Sequence, residues 1–210
     1  MTMTLFGSTD SGHSYKVRLF LLLTQTAHEY RWVDLSLPPN ERGALFAQSS
    51  KFGEVPILLD GSYALCQSNA ILQYLAQKTQ KLCGTTQADW LAIVEWLAWE
   101  ANRVGFSVPN LRFAIRWSDQ SPQPPEVLTY LRRRVLADLD TLNRALSKST
   151  YLLSSGFSIA DISCAAYLFW LDQMDVDVAD YPQIARWLAA VRQQLHWSHP
   201  DEAMLMARAH

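Results

Sequence analysis

The segment from residue 52 to residue 76 restricts the fold more than any other part of the chain. It reads FGEVPILLDGSYALCQSNAILQYLA, with two short apolar runs on either side of Asp60-Gly61 and a helical pattern after them. Asp-Gly between apolar runs is a strong signal for a two-stranded hairpin. Pro56 stands just before the first run, and proline has no N–H to donate within a central strand. The segment therefore predicts a β-hairpin that begins at a Val-Pro pair and is followed directly by a helix.

The residues before the hairpin complete the pattern of a small mixed sheet. Two further strands and three helices are expected within residues 1–80, from apolar alternation and helical periodicity: strands at Met3–Gly7 and Tyr30–Leu35, and helices at Ser14 to about Ala27, Glu41–Gln48 and Ser68–Lys78. The order β-α-β-α-β-β-α places a βαβ unit before the hairpin, with helices on both faces of the sheet. The first domain is therefore expected to be α/β.

The remainder of the chain predicts helices only. Apolar residues recur there at steps of three and four, which is typical of helices that bury one face. A polar linker at about 79–87 separates this all-α domain, residues 87–210, from the first domain. Ser158 and Asp161 form a capping-box pattern ahead of the run ISCAAYLFWL. This run is apolar almost all round, so its helix is expected to pass through the middle of the bundle.

Composition excludes several classes of protein. The formal net charge is −2, from 18 Lys and Arg against 20 Asp and Glu, which is unlike a nucleic-acid binder. No apolar run is long enough to span a bilayer, and the N-terminal segment lacks the features of a signal peptide. The three cysteines, without CxxC spacing, favour neither a disulfide framework nor a structural zinc site. We expect a metal-free cytoplasmic protein with no nucleic-acid or membrane partner.

Val55-Pro56 leaves two interpretations open. X-Pro bonds are the ones that adopt the cis form readily, and a cis bond here would turn the main chain of Val55 outward. That main chain could then pair with a peptide-like ligand, as an added strand does. The simpler interpretation is an ordinary start of an edge strand.

Gln67-Ser68 opens the predicted third helix and is equally open to two interpretations. The N-terminus of a helix can hold a carboxylate through its free N–H groups and the positive end of its dipole. The Ser68 hydroxyl would add a donor, and the side-chain oxygen of Gln67 would accept from an amine. The alternative is that Ser68 only caps the helix, as serine commonly does.

The chain as a whole resembles a cytosolic glutathione transferase. The resemblance rests on the order and spacing of TLFGSTDSGHSYKVRLFLLL, FGEVPILLDG, QSNAILQYLA, GFSIADI and YPQIARWLAAV. It implies a thioredoxin-like N-terminal domain that binds glutathione as co-substrate, an all-α C-terminal domain and a homodimer. It also implies a hydrophobic pocket for a small electrophile and a role in detoxification.

The resemblance assigns glutathione-binding roles by position. Val55, next to a cis Pro56, would pair its main chain with the cysteinyl group of glutathione. Gln67 and Ser68 would hold the amine and the carboxylate of the γ-glutamyl group. His13, Lys51 and Glu54 are further positions expected in or beside the glutathione site.

The residue that activates the thiol follows the first strand in this family. A free thiol has a pKa of about 8.5, and a hydroxyl or N–H aimed at the sulfur stabilises the thiolate and lowers that pKa. Alignment of VRLFLLL with the family's first helix places Ser11 at the serine-type position, and the chain has no cysteine before Cys66. Ser14 is the more natural cap of the first helix, and Tyr15 lies inside it, which disfavours a tyrosine-type mechanism. Rivals of Ser11 in the same loop are Ser8, Thr9, His13 and Ser14.

Two residues depart from the family pattern. Relatives often carry Glu or Asp at the position of Gln67, and a neutral amide binds an ammonium less strongly than a carboxylate does. The residue before Val-Pro is often Gln, Lys or Thr, whereas here it is Glu54, which would repel the glycine carboxylate of glutathione if it points into the site. Three cations could offset that repulsion: Lys51, Arg42 and Arg18.

The aromatic residues of the second half suit a hydrophobic pocket as well as a helix core. A bend expected from Gly105 and Pro109 would open space beside them. The residues expected to line the pocket are Trp99, Arg103, Phe106, Asn110 and Phe113.

These features together predict an enzyme that transfers glutathione to an electrophile or reduces a small peroxide or mixed disulfide. The alternative is a non-catalytic scaffold of the same fold, because fold alone does not determine function. The Val-Pro and Gln-Ser pairs favour the enzyme, since a scaffold has no need of a γ-glutamyl site. Thioredoxin-type chemistry is disfavoured by the lack of a CxxC pair.

Overall fold

The computed structural model describes residues 2–205, and their contacts divide the chain into two compact units. The first consists of the described parts of Met1–Lys81 and Gln194–His210, and the second is Leu82–Gln193. The sequence predicts a helical domain that runs from 87 to 210, whereas the structure groups the segment from Gln194 with the first unit. One reason is the fully buried Tyr15, whose hydroxyl donates a 2.8 Å hydrogen bond to the main-chain oxygen of Ser198.

A four-stranded mixed sheet lies at the centre of the first unit. Its strands are β1 (Met3–Gly7), β2 (His28–Trp32), β3 (Ile57–Asp60) and β4 (Tyr63–Cys66). They lie in the order β2, β1, β3, β4, with β1 parallel to β2 and antiparallel to β3. β3 and β4 form the predicted hairpin, with Asp60 opposite Tyr63 at its closed end.

Three helices of the first unit connect or follow these strands. They are α1 (Gly12–Leu23), α2 (Ala44–Ser49) and α3 (Ser68–Thr79), and a short helix at Pro200–Ala203 follows later in the chain. α1 ends at Leu23 rather than at the predicted Ala27. Gln25, two residues after that end, adopts a positive φ of 52°. The order β1-α1-β2-α2-β3-β4-α3 confirms the predicted thioredoxin-like arrangement.

β2 begins and ends earlier than the predicted strand at Tyr30–Leu35. Val33 is buried in the apolar cluster of this unit and continues the apolar alternation of the sequence. Asp34 then accepts hydrogen bonds of 2.9 and 2.7 Å from the N–H and the hydroxyl of Ser36. This local turn takes the chain out of the sheet. The apolar alternation of the sequence therefore continues beyond the last residue of the strand.

The second unit contains helices and one isolated β-bridge among its described residues. Its α-helices are α4 (Gln87–Asn102), α5 (Val104–Arg116), α6 (Pro125–Ala145), α7 (Ile159–Ala165) and α8 (Pro182–Arg192). Every residue of α7 is buried, and a 3-10 helix at Ala166–Met174 continues it. The predicted central apolar helix and the capping box of Ser158 and Asp161 are both confirmed.

α4 and α5 are separated at Arg103, whose φ of −122° and ψ of −106° are not helical. The predicted bend at Gly105 and Pro109 is therefore wrong in position, because both residues lie inside α5. Gly105 instead permits close packing. A Cβ on it would lie 2.7 Å from Cδ and 2.9 Å from the main-chain oxygen of the buried Glu100.

Candidate functional site

The loop between β1 and α1 packs closely on the end of the strand. Ser8 donates its main-chain N–H to Oγ of Ser14 at 3.4 Å, and Ser11 donates its N–H to the main-chain oxygen of Ser8 at 3.2 Å. A Cβ on Gly7 would lie 2.9 Å from the Cβ of Ser14 and from the ring of Tyr30. The absence of a side chain at Gly7 therefore lets the loop fold back over the end of β1.

Ser11 is the N-cap of α1. Its Oγ accepts a 3.1 Å hydrogen bond from the main-chain N–H of Ser14. The prediction that Ser14 caps the helix is wrong, because Ser14 lies in the first turn and is fully buried. Capping uses an acceptor lone pair of Oγ and leaves the hydroxyl hydrogen for another partner. Among residues 2–205 the Ser11 hydroxyl makes no other hydrogen bond.

The N-termini of α1 and α3 lie side by side. Nδ1 of His13, in the first turn of α1, is 3.5 Å from Oγ of Ser68, the first residue of α3. Both helices therefore bring the positive ends of their dipoles to one region. An anion in that region gains from both.

α3 begins without a side-chain cap. Gln67 occupies the N-cap position and makes no capping hydrogen bond. Ser68 does not act as the cap, since it lies inside the first turn, where it is buried. Gln67 has φ 69° and ψ 114°, a conformation that residues other than glycine rarely adopt and that often occurs at functional sites. The uncapped first turn has main-chain N–H groups suited to a ligand carboxylate.

Lys16 is a charged residue of this region that sequence reasoning missed. It is fully buried, and its Nζ donates a 3.4 Å hydrogen bond to Oδ1 of Asn69 in the first turn of α3. A buried ammonium at the positive end of a helix dipole raises the affinity of that end for an anion. Its signal in the sequence is a lysine between Tyr15 and Val17, both of which are buried.

The peptide bond between Val55 and Pro56 is cis. Val55 is half-buried and packs on the apolar cluster that includes Phe46 and Ile57. Its main-chain N–H and C=O form no hydrogen bond within the part of the chain that the structure describes. These groups, just ahead of β3, are open to pairing with an extended peptide.

Glu54, the residue before Val55, is directed toward Gln67. Nε2 of Gln67 donates a 3.1 Å hydrogen bond to Oε2 of Glu54, and both side chains are exposed. This contact links the residue before β3 with the residue before α3.

The cations expected to offset Glu54 have other partners. Arg42 donates to main-chain oxygens of Leu35, Leu37 and Gly53, and Lys51 lies 5.3 Å from the ring centroid of Phe52. None of the three predicted cations forms an ion pair with Glu54 among residues 2–205.

Arg18 belongs to a cluster with β2. Its guanidinium lies 5.0 Å from the ring centroid of Tyr30 and contacts Nε2 of His28. Burial lowers the pKa of Arg18 and the pKa of His28, in both cases as the largest effect. The same burial raises the pKa of Tyr30.

The part of the chain that the structure describes has neither a cluster of metal ligands nor a membrane-spanning helix. Residues 2–205 contain no group of three or more His, Cys, Asp or Glu side chains that could hold a metal ion. Within that range no helix has both the length and the apolar character needed to cross a membrane. None of the cysteines Cys66, Cys83 and Cys164 forms a disulfide.

Two family models match the chain. The glutathione S-transferase N-terminal domain matches residues 1–77, and the glutathione S-transferase C-terminal domain matches residues 119–190. The chain belongs to the glutathione S-transferase family. The predicted family and fold are confirmed, and so is the predicted class of enzyme, a glutathione transferase. The non-catalytic scaffold is not favoured.

Relatives of this glutathione transferase match it over most of its length. The disulfide-bond oxidoreductase YfcG of Escherichia coli is 28% identical over 195 residues, which cover 89% of this chain and 88% of that protein. A solved structure of a possible glutathione S-transferase from Rhodopseudomonas palustris is 28% identical, with a TM-score of 0.83 and coverage of 96% and 98%. A glutathione S-transferase from Xanthobacter autotrophicus is 26% identical, with a TM-score of 0.85 and coverage of 97% and 100%.

Three of the residues predicted to line the electrophile pocket share one face of α5. Phe106, Asn110 and Phe113 recur at steps of four and three and are exposed. Phe113 stacks on Trp117 with ring centroids 5.3 Å apart, and Asn110 donates to the main-chain oxygen of Phe106. This transferase therefore carries an exposed aromatic stripe on α5.

The other two predicted pocket residues lie elsewhere in the second unit. Trp99 is half-buried on α4, where it packs edge-on against Trp96 with centroids 5.4 Å apart. Arg103 separates α4 from α5 and lies 3.8 Å from a carboxylate oxygen of the buried Asp138.

Proposed function

We propose that this glutathione transferase activates the thiol of glutathione through the hydroxyl of Ser11. The observation that carries this assignment is the 3.1 Å hydrogen bond from the N–H of Ser14 to Oγ of Ser11. It holds the hydroxyl at the start of α1 and leaves its hydrogen to be donated. A sulfur placed there accepts that hydrogen bond beside the positive end of the helix, and both effects stabilise the thiolate and lower the thiol pKa.

The γ-glutamyl end of glutathione is assigned to the start of α3. Its carboxylate would accept from the uncapped N–H groups of the first turn and from the Ser68 hydroxyl. The buried ammonium of Lys16, bonded to Asn69, adds positive potential at the same helix end. The 3.5 Å approach of His13 to Ser68 supports placing the thiol and the γ-glutamyl group of one small peptide in this region.

The main chain of Val55 is assigned to the cysteinyl residue of glutathione. Its N–H and C=O have no hydrogen-bond partner within residues 2–205, and an extended peptide pairs with such groups as an added strand would. This pairing would fix the direction of the tripeptide. Side-chain contacts at its two ends would then determine affinity.

The transfer reaction itself is a nucleophilic displacement. The thiolate sulfur forms a bond to an electrophilic carbon, and the leaving group departs with the bonding electron pair, while the thiol proton passes to solvent. Trp99, Arg103, Phe106, Asn110 and Phe113 remain the residues predicted to contact the electrophile. The exposed aromatic stripe on α5 supports that prediction.

Reduction of disulfides by glutathione is a second candidate function, favoured by the similarity to the E. coli disulfide-bond oxidoreductase. The chain has no CxxC pair, so two glutathione molecules would supply the electrons. The first thiolate attacks the disulfide, forms a mixed disulfide and releases one substrate thiolate. The second attacks the mixed disulfide, which yields oxidised glutathione and the other substrate thiolate.

A cytoplasmic homodimer with a role in detoxification completes the proposal. Large apolar side chains are exposed on α4, among them Leu91 at 58% and Val94 at 36%, and exposed apolar surface commonly marks protein contacts. Sedimentation of the purified chain tests the assembly. A monomer at micromolar concentration would contradict it.

Two assays test the proposed function. The protein should be retained on immobilised glutathione and eluted by free glutathione. It should then accelerate the reaction of glutathione with an activated aryl halide, the reduction of a mixed disulfide, or both. Failure to bind glutathione at millimolar concentration would overturn the proposal. Loss of activity in Ser11→Ala with retained binding would support the assignment of Ser11.

A further inference from the structure

A carboxylate and an amide meet beside the proposed glutathione site. Nε2 of Gln67 donates a 3.1 Å hydrogen bond to Oε2 of Glu54. Glu54 immediately precedes Val55, and Gln67 immediately precedes Ser68. The pair therefore joins the residues that flank the two proposed main-chain binding elements, and the exposure of both side chains leaves it accessible to a ligand.

The hydrogen bond orients both side chains. The NH2 group of Gln67 is directed toward Glu54, so its Oε1 is left as an acceptor. Oε1 of Glu54 has no hydrogen bond among residues 2–205, and Oε2 can accept a second one. The pair as a unit offers several acceptors and one negative charge to a donor from outside.

A negative charge near the start of α3 would stabilise the ammonium of a bound γ-glutamyl group. The γ-glutamyl end of glutathione carries an ammonium as well as a carboxylate. The positive end of the helix dipole suits the carboxylate but opposes the ammonium. The neutral amide of Gln67 can accept a hydrogen bond from the ammonium but cannot balance its charge.

We propose that Glu54 supplies the negative charge that binds the ammonium of the γ-glutamyl group, with Gln67 as a neutral second acceptor. This inference rests on the proposed glutathione site and names the group that recognises one end of the substrate. It reverses the effect expected from the sequence. An acid directed at the glycine end would weaken binding, whereas an acid bonded to Gln67 lies toward the γ-glutamyl end and strengthens it.

Charge exchange within the pair tests the proposal. Dissociation constants for glutathione would be measured by calorimetry for the full chain, Glu54→Gln, and the double variant Glu54→Gln/Gln67→Glu. Loss of the carboxylate should weaken binding about five-fold, as expected for a partly solvated ion pair with a charged hydrogen bond. The double variant should recover most of that loss, because it returns one carboxylate and one amide to the same pair. Glu126→Gln, an exposed position on α6, is the matched control and should bind like the wild type.

A second ligand identifies the group that Glu54 contacts. In γ-glutaryl-cysteinylglycine the α-amine of glutathione is replaced by hydrogen, and wild type and Glu54→Gln should bind it equally. The proposal is overturned if Glu54→Gln binds glutathione as tightly as the wild type or more tightly. It is also overturned if the variant loses equal affinity for both ligands. A wild-type protein that binds neither ligand would overturn the proposed function and this inference together.

Discussion

The hydroxyl oxygen of Ser11 accepts a hydrogen bond from the main-chain N–H of Ser14 at 3.1 Å, which makes Ser11 the N-cap of α1. The same oxygen is the proposed donor to the glutathione sulfur. One side chain would therefore stabilise the fold and the thiolate. Variants of Ser11 can separate these two effects, because a cap needs an acceptor and the thiolate needs a donor.

Ser11→Ala should lower both stability and rate. Loss of an N-cap side chain costs about 1 kcal/mol of unfolding free energy, and loss of a hydrogen bond to the thiolate, about 1.5–3 kcal/mol for a charged partner, should lower kcat/KM roughly ten- to hundred-fold. Ser11→Asp should keep the stability, because aspartate is a good cap, yet lose the activity, because a carboxylate repels the thiolate. Urea unfolding and the aryl-halide assay measure the two effects.

Thr86→Ala is the matched control for Ser11. Thr86 caps α4 and accepts from the N–H of Asp89 at 3.1 Å in a capping box. The variant should lose about the same stability, about 1 kcal/mol, with an unchanged kcat/KM. If Ser11→Ala and Thr86→Ala behave alike in both assays, Ser11 is a cap and nothing more.

Ser68→Ala should weaken glutathione binding with little effect on kcat. The hydroxyl is assigned to the γ-glutamyl carboxylate, and a hydrogen bond to a charged group contributes about 1.5–3 kcal/mol, so KM for glutathione should rise roughly ten-fold or more. Ser62→Ala, at an exposed position in the hairpin turn, serves as the control. A large fall in kcat at unchanged KM would argue for a role of Ser68 at the reacting sulfur instead.

Asp161 should make stability depend on pH. It is fully buried and accepts hydrogen bonds from Leu152, from the N–H and hydroxyl of Ser158, and from Nε1 of Trp187. Burial, the largest effect, raises the pKa of Asp161 from 3.8 to about 6 despite these donors. The folded state thus holds the proton more tightly than the unfolded state. The stability that this tighter proton binding gives the folded state is fully present below pH 4 and is lost as the pH rises through about 6.

Asp161→Asn isolates this titration. The difference in unfolding free energy between wild type and variant should fall by about 3 kcal/mol as the pH rises from 4 to 7, because each unit of pKa shift corresponds to about 1.4 kcal/mol. Urea unfolding at several pH values measures it. A difference that grows with pH would mean that the donors around Asp161 outweigh its burial.

Gly105→Ala should destabilise the second unit. The added Cβ would lie 2.9 Å from the main-chain oxygen and 2.7 Å from Cδ of Glu100, which is buried. Overpacking of this kind costs about 1–3 kcal/mol. The double variant Glu100→Ala/Gly105→Ala should lose less stability than the sum of the two single variants, since it removes the side-chain part of the clash. If the stability losses of the two single variants add up to that of the double variant, crowding against the Glu100 side chain is not the cause of the destabilisation.

The parts of the fold that the sequence predicted well are those with local signals. The hairpin followed from Asp60-Gly61, and the start of α7 followed from Ser158 and Asp161, because each signal acts between residues within a few positions of one another. The strand at Tyr30–Leu35 was shifted for a related reason. Its apolar alternation continues through Val33, while the turn at Asp34 depends on a side-chain hydrogen bond that periodicity does not register.

The features of the site that could not be predicted from the sequence depend on the path of a loop or on contacts between distant segments. Ser11 and Ser14 both suit a cap, and only the path of the loop decided between them. Lys16 is separated by 53 positions from Asn69, to which it donates. Periodicity and spacing along the sequence do not indicate a contact between residues so far apart.

The sequence by itself determined the order of the elements, the family and the positions at which glutathione chemistry is expected. The order of the elements follows from periodicity and turn residues, which are properties of neighbouring residues, whereas the family and the glutathione positions follow from the resemblance of the sequence motifs to those of glutathione transferases. Only the tertiary structure decided that Glu54 is directed toward Gln67 and that His13 approaches Ser68. The reason is that the direction of a polar side chain depends on which segment the fold brings beside it. In this protein that direction is the basis for the proposal that Glu54 strengthens glutathione binding rather than weakening it.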